Sequence, residues 1–297
     1  MRMVKGTLVW LFFAALTIAA SPYAAAAPVV DKTKLEAYLR YAEGFMSNVH
    51  FTFDEPVASA IPNFYRVAVH LTTDTGAKLD RLYFMTLDGQ QIVNGSLWDL
   101  SKSPFAETLA HLPNNGYSFG PAEAKVQLVI FSDFQCPYCR EFAKTVRENI
   151  PKTYPNDVHV IFEDYPLDTI HPWARAAAEA SHCVGDQSLD AFWAYHDWIF
   201  AHGADIKPDS LRDKIVAWAK EEKLDGTKLQ TCMDSHSSAK AVKQAEAAGK
   251  GLQVEQTPTA FANGRLIPGA LPWASLDSVI QLELKRPSNL ASPVVSR

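Results

Sequence analysis

Val126-Gln127-Leu128-Val129-Ile130-Phe131-Ser132-Asp133-Phe134-Gln135-Cys136-Pro137-Tyr138-Cys139 joins an apolar run to a pair of cysteines two residues apart. Val126 to Phe131 is apolar except for Gln127, as a strand buried on both faces of a parallel sheet should be. Helical spacing from about Cys139 to Asn149 and a second apolar run at Val158 to Phe162 complete a β-α-β unit. Cys136 therefore falls where a buried strand gives way to a helix. Free N–H groups of the first helical turn and the positive end of its dipole stabilise an anion there, so its thiol pKa should fall from ~8.5 to between about 3.5 and 7.5. Cys136 is the expected nucleophile. Cys139, one turn deeper and shielded, is the expected resolving thiol. Structural zinc is the rival reading of Cys-x-x-Cys, but it needs a second close pair or nearby histidines, and Cys183 and Cys232 each stand alone. No metal and no organic cofactor is expected.

Downstream, residues 163–256 show largely helical periodicity, in segments Trp173–Cys183, Leu189–Ala201, Ser210–Lys220, Leu229–Met233 and Ala239–Gly249. Strand character returns at Thr259–Ala262; Asn263-Gly264 turns the chain into Arg265–Ile267, and Leu276–Leu284 closes as a helix. A helical subdomain is thus inserted between two halves of one sheet. Pro258 directly precedes the returning strand, a position a cis peptide bond explains. Such a turn, facing Cys136, would leave the backbone of Thr257 free to pair with an extended substrate chain.

Upstream, Asp31 can cap a helix carrying Leu35, Tyr38, Leu39, Ala42, Phe45 and Met46. Three alternating segments follow, Phe64–Leu71, Leu79–Thr86 and Gln91–Leu97, the last two joined by Asp88-Gly89. This predicts a small α+β domain over residues 27–100, a connector at 101–120 containing a short helical stretch from Ser103 to Leu112, and a catalytic domain over 121–297. At the start, Arg2 and Lys5 precede an apolar run from Leu8 to Ala20, then Ser21-Pro22 and Ala24 to Ala27, the pattern of a secretory signal cleaved after Ala26. The alternative is an uncleaved anchor from Leu8 to Ala27. Export to the periplasm or outside the cell permits lasting disulfides, so Cys183 and Cys232, on two helices of the insertion, are expected to form a structural disulfide rather than stay as free buried thiols.

With 28 Lys and Arg against 33 Asp and Glu, a net charge of -5 and no basic stripe, nucleic acid is not an expected partner. A hydrophobic content of 47% and an aromatic content of 11% exclude a disordered chain. His171, His182, His196 and His202 lack metal-ligand spacing and read as surface or packing residues. Trp193, Trp198 and Trp218 read as core. Phe134, Tyr138, Tyr165 and Trp173 could floor an apolar groove near the sulfurs. Glu163 and Asp164 are candidates for proton transfer with Cys139, against the blander reading of solvated strand-end charges.

The stretch Phe131 to Cys139, the Thr257-Pro258 turn and Phe261-Ala262-Asn263-Gly264-Arg265 together resemble the thioredoxin-fold disulfide oxidoreductases of the DsbA superfamily. The resemblance covers about residues 121 to 285. It implies an α/β thioredoxin fold with an inserted helical subdomain, Cys136 as nucleophile, Cys139 as its resolving partner and Pro258 as the cis-proline, with Thr257 and Tyr138 at the substrate. Tyr83 to Gly95, with Leu97-Trp98-Asp99-Leu100, is similar to the small cystatin-like dimerisation domain of DsbC and DsbG, which implies a homodimer. Pro137-Tyr138 and Thr257 resemble DsbG, and Ile130 stands six before Cys136, where related folds place a buried acid. The expected activity is thiol-disulfide exchange with cysteines of exported proteins, as isomerase or reductase in preference to a DsbA-type oxidase, sustained by a redox partner that recycles Cys136-Cys139. The rival from another class is a chaperone-like peptide-binding module in which the cysteines are a staple, a poor use of so short a loop.

Overall fold

In the computed structural model, which describes residues 30–95 and 103–287, the chain divides between Trp98 and Asp99 into two units. The leader expected over residues 1–26 lies outside the described residues.

The first unit packs helix α1 (Lys32–Glu43) on an antiparallel sheet of β1 (Val49–Phe53), β2 (Val57–Ala58), β3 (Phe64–Thr73), β4 (Lys78–Thr86) and β5 (Ile92–Asn94), in the order β1-β3-β4-β5 with β2 also against β3. Asp31 caps α1 by accepting the Lys34 N–H at 2.9 Å, and Gly44 ends it in the left-handed region. Period-two alternation sends Val67, Val69 and Leu71 of β3 to one face, where they meet Leu35 and Leu39 of α1 and Tyr83 and Met85 of β4. The Asp88-Gly89 turn is present, with Gly89 at φ 66°. Strands β1 and β2 are additions to the expected meander: each is short, and neither leaves a pattern longer than the pleat of five residues. Leu97, at the end of the expected third strand, lies outside the described residues.

The second unit holds α2 (Ala106–His111), β6 (Tyr117–Phe119), β7 (Val126–Ser132), α3 (Pro137–Thr153) and β8 (Val158–Asp164). Five insertion helices follow: α4 (Ala174–Gly185), α5 (Leu189–His202), α6 (Leu211–Glu221), α7 (Gly226–Ser235) and α8 (Ala239–Gly251). The chain then returns through β9 (Thr259–Ala262), β10 (Arg265–Pro268) and α9 (Trp273–Leu284). Sheet order is β10-β9-β7-β8-β6, with β7 and β8 parallel and the other pairs antiparallel. Alternation along the central strand β7 feeds both faces. Val126, Leu128 and Ile130 meet Phe142, Val146 and Ile150 of α3 and Leu276 and Ile280 of α9; Val129 and Phe131 meet Ile161, Tyr165, Val254 and Phe261. The insertion helices close a separate core around Phe192, Tyr195, Ile199, Ile215 and Leu229.

One expected boundary moves. Within the connector expected over residues 101–120, Leu112 is buried against Val129 and Phe131, and β6 pairs with β8 at the sheet edge. A three-residue strand is too short to carry a periodicity. Asn263-Gly264 turns β9 into β10 with φ of 48° and 86°, the paired positive angles of a tight hairpin turn.

Candidate functional site

Helix α3 begins at Pro137, two residues before the expected start, so Cys136 is its N-cap residue. Proline at the first helical position sacrifices no hydrogen bond, because that N–H has no intrahelical partner. Cys136 and Cys139 are both thiols here, 5% and 1% exposed. The Thr257-Pro258 bond is cis, and the Cys136 thiol donates to the Thr257 carbonyl oxygen at 3.4 Å. Tyr138 is 67% exposed beside these buried groups. The structure thus brings Cys136, Cys139, Thr257 and Pro258 together and leaves Tyr138 at the surface next to them.

The two thiols are electrostatically unequal. A hydrogen bond from the Cys139 thiol pulls Cys136 down to about 6; burial opposes it, and the N–H groups of Cys139 and Tyr138 with the Thr257 side chain add to it. Burial pushes Cys139 well up, helped by the neighbouring Cys136 sulfur. At neutral pH the outer sulfur is the anion and the inner one keeps its proton, the division of labour a nucleophile and a resolving thiol require.

Asp133, which sequence reasoning passed over, is buried and fixes the loop in front of Cys136. Its carboxylate accepts the Gln135 N–H at 2.7 Å, the Leu167 N–H at 2.8 Å and His171 Nδ1 at 2.7 Å. Its backbone carbonyl accepts the Cys136 N–H at 3.1 Å, and its own N–H donates to Cys139 Sγ at 3.4 Å. Gln135 completes the clamp by accepting the Trp173 N–H at 2.8 Å.

Several expectations are corrected by burial. Phe134, Tyr165 and Trp173 floor no groove: they are 2%, 7% and 4% exposed, with Phe134 stacked on Phe162 inside the core of the insertion. Glu163 and Asp164 are not solvated strand ends, because β6 and the insertion helices cover the end of β8. Both are buried and line a cavity of about 300 Å³ with His182, Asn115 and Gln244. Burial, then the charge of Asp164, raises Glu163 to about 8. Asp164 Oδ2 lies 2.7 Å from His182 Nε2. His171 and His196 also meet carboxylates, Asp133 and Asp197. Cys183 of α4 and Cys232 of α7 are joined by a disulfide with a Cα–Cα distance of 5.7 Å. Among the described residues, no group of three or more His, Cys, Asp or Glu side chains is placed to hold a metal ion, and no helix is long and apolar enough to cross a membrane.

Residues 114–282 match the family model described as Thioredoxin. A probable disulfide bond formation protein D of Bacillus anthracis is 30% identical over 176 residues, 57% of this chain and 78% of that protein. A Na(+)/H(+) antiporter NhaA 1 of Salinispora arenicola is 31% identical over 168 residues, 57% of this chain and 24% of the antiporter. The chain spans about a quarter of the length of such antiporter relatives. Among solved structures, oxidised BdbD from Bacillus subtilis superposes with a TM-score of 0.51 over 58% of this chain and 94% of that one, at 24% identity, a likeness of fold.

Proposed function

The chain belongs to the thioredoxin family, within its DsbA superfamily, and from that membership we propose that it is a thiol-disulfide oxidoreductase acting through Cys136 and Cys139. The observation that carries this reading is the unequal pair itself: a Cys136 thiol drawn down to about 6 at the N-terminus of α3, beside a buried Cys139 that keeps its proton. The Cys136 thiolate attacks a substrate disulfide in line with its S–S bond. One substrate sulfur leaves as a thiolate, and the other stays bound to Cys136 in a mixed disulfide. Cys139, once deprotonated, attacks Cys136 Sγ and expels the second substrate sulfur, leaving Cys136-Cys139 oxidised and the substrate reduced by two electrons. The reverse sequence donates a disulfide. The carbonyl of Thr257, next to Pro258, is the acceptor for an N–H of an extended substrate chain, and exposed Tyr138 offers an apolar face beside it.

Substrates in this reading are cysteine-containing exported proteins, met in the periplasm or outside the cell, and a separate redox partner recycles the pair. The direction favoured is isomerisation or reduction. Its support is the α+β unit at 30–95, whose resemblance to a cystatin-like dimerisation domain would set two catalytic units around one cleft. Among the described residues β1 and β5 are the outer strands of this small sheet, and such edges also favour pairing with a second copy. The printed name of the Bacillus relatives, disulfide bond formation, favours a second reading as an oxidase.

Trapping separates an oxidoreductase from a passive binding module. In C139S the resolving attack is lost, so Cys136 should accumulate mixed disulfides visible on non-reducing gels; reactive Cys136 without adducts overturns the two-cysteine mechanism. The reduction potential of Cys136-Cys139 against glutathione ranks the two directions. Sedimentation of the mature chain tests the dimer, which a monomer at micromolar concentration refutes.

A further inference from the structure

Cys139 must lose a proton before it can attack and regain one when it leaves, yet it is 1% exposed, so bulk water does not reach it freely. Ile130, six residues before Cys136, carries no acid. Ile130 instead borders a small cavity of about 20 Å³, lined by Ser132, Cys139, Arg147, His196 and apolar neighbours. Its volume suits one water molecule, and Ser132, Cys139, Arg147 and His196 are the polar side chains on an otherwise apolar lining. Three ionisable side chains line it: Cys139, His196 and Arg147. An arginine does not give up its proton in a protein, which leaves the imidazole.

His196 is built for that task. It is 4% exposed on α5, ringed by Phe134, Phe162, Trp193 and Phe200. Its Nδ1 lies 2.9 Å from Asp197 Oδ1, so Nδ1 donates to the carboxylate and Nε2 is left as the acceptor. Arg147 of α3 holds the same carboxylate by donating from Nη2 and Nε, at 2.8 to 3.2 Å. Against the burial that would raise it, these hydrogen bonds keep Asp197 down at about 2, ionised throughout the working range. Burial lowers His196, so it enters the reaction neutral, while Asp197 stands ready to stabilise the imidazolium. The charged or titratable groups facing His196 are Asp197 on its own helix, Arg147 and Cys139 on α3, and Asp164 on β8.

Resting on the oxidoreductase reading above, we infer that His196, positioned by Asp197 and Arg147, exchanges the Cys139 proton through a water in this cavity. In the resolving step the Cys139 S–H bond breaks, its proton passes through the water to His196 Nε2, and the sulfur electron pair forms the Cys136–Cys139 bond as the Cys136–substrate S–S bond breaks. The leaving substrate thiolate takes up a proton from solvent. The imidazolium of His196 then loses its Nε2 proton back through the cavity water to solvent, with the Nδ1–H still donating to Asp197. In the reverse direction imidazolium protonates Cys139 as it leaves.

The test is a single turnover on the full chain. Cys136 is loaded as a mixed disulfide with thionitrobenzoate, and release of the coloured thiol is followed from pH 5 to 9. Wild type should show release that rises with pH and levels off once His196 is neutral. H196Q should be slowed at least about tenfold at pH 7, the low side of general acid-base effects, and should keep rising with pH without the plateau. Iodoacetamide alkylation of Cys136 should keep its wild-type pH profile in H196Q. Unchanged release from folded H196Q, or a loss in release matched by an equal loss in Cys136 alkylation, overturns the relay. D197N serves where H196Q does not fold: stripped of its carboxylate, His196 becomes less basic and the plateau should begin at lower pH, and an unmoved plateau overturns the proposal. A wild-type chain that releases nothing overturns the two-cysteine reading beneath it, a failure distinct from the loss of the relay alone.

Discussion

The Sγ of Cys136 stands 3.4 Å from the carbonyl oxygen of Thr257, a residue 121 positions further along the chain. A thiol donates to that oxygen and a thiolate cannot, so this contact belongs to the protonated state and is released on ionisation. The carbonyl is then free for a substrate N–H when Cys136 becomes nucleophilic. The same neighbourhood supplies the donors that favour the anion: the Cys139 thiol first, then the N–H groups of the opening turn of α3.

Alkylation of Cys136 should follow a thiolate titrating with a midpoint of about 6. C139A deletes the leading donor and should move the midpoint up toward the unperturbed value of about 8.5. The folded value lies below the unfolded one, so the stability this group contributes is full above about 8.5 and is lost as pH falls through about 6. Iodoacetamide rates against pH check the midpoint, and an identical midpoint in C139A would remove Cys139 as its cause.

Asp133→Asn should lower stability by about 1–3 kcal/mol, because a buried carboxylate with three donors is replaced by a group that presents an N–H to one of them. The loop before Cys136 and the segment around Leu167 and His171 loosen together. Urea unfolding measures the loss. Wild-type stability in D133N would mean that the clamp is dispensable.

Glu163 is raised by burial to about 8, above its ordinary 4.5. A raised folded value means that its contribution is full below about 4.5 and is lost as pH rises through about 8. E163Q stays neutral at every pH. It should therefore match wild type at pH 4 and exceed it at pH 8.5, by roughly 2–4 °C in Tm for each kcal/mol regained. Scanning calorimetry at the two pH values decides it; a variant that is less stable at pH 8.5 would show that the ionised carboxylate is the native form.

The Cys183–Cys232 disulfide closes a loop of 49 positions across α4 and α7. Removing both cysteines should cost up to about 4 kcal/mol in the chain-entropy account. Mild reduction followed by labelling of the unfolded chain should find two thiols, Cys136 and Cys139, with Cys183 and Cys232 still paired. Four labelled thiols would rule out a lasting structural bridge.

Local signals in the sequence reached far into this protein. The apolar run from Val126 to Phe131 and the helical spacing after Cys139 are both nearest-neighbour chemistry, and together they set the cysteine pair where strand becomes helix. The turn at Asn263-Gly264 and the cap at Asp31 were legible for the same reason, since each answers to the backbone within three residues. Tertiary structure decided the rest. Asp133 meets Leu167 and His171 across 34 and 38 positions, and the α3 guanidinium of Arg147 meets Asp197 across 50. Glu163 and Asp164 look like polar strand-end residues in the chain and become buried only because β6 and the inserted helices cover them. A periodicity reports which face of its own element a residue occupies. What lies against that face is set by the packing of elements distant in sequence, and there Cys139 acquires the neighbours that govern its proton.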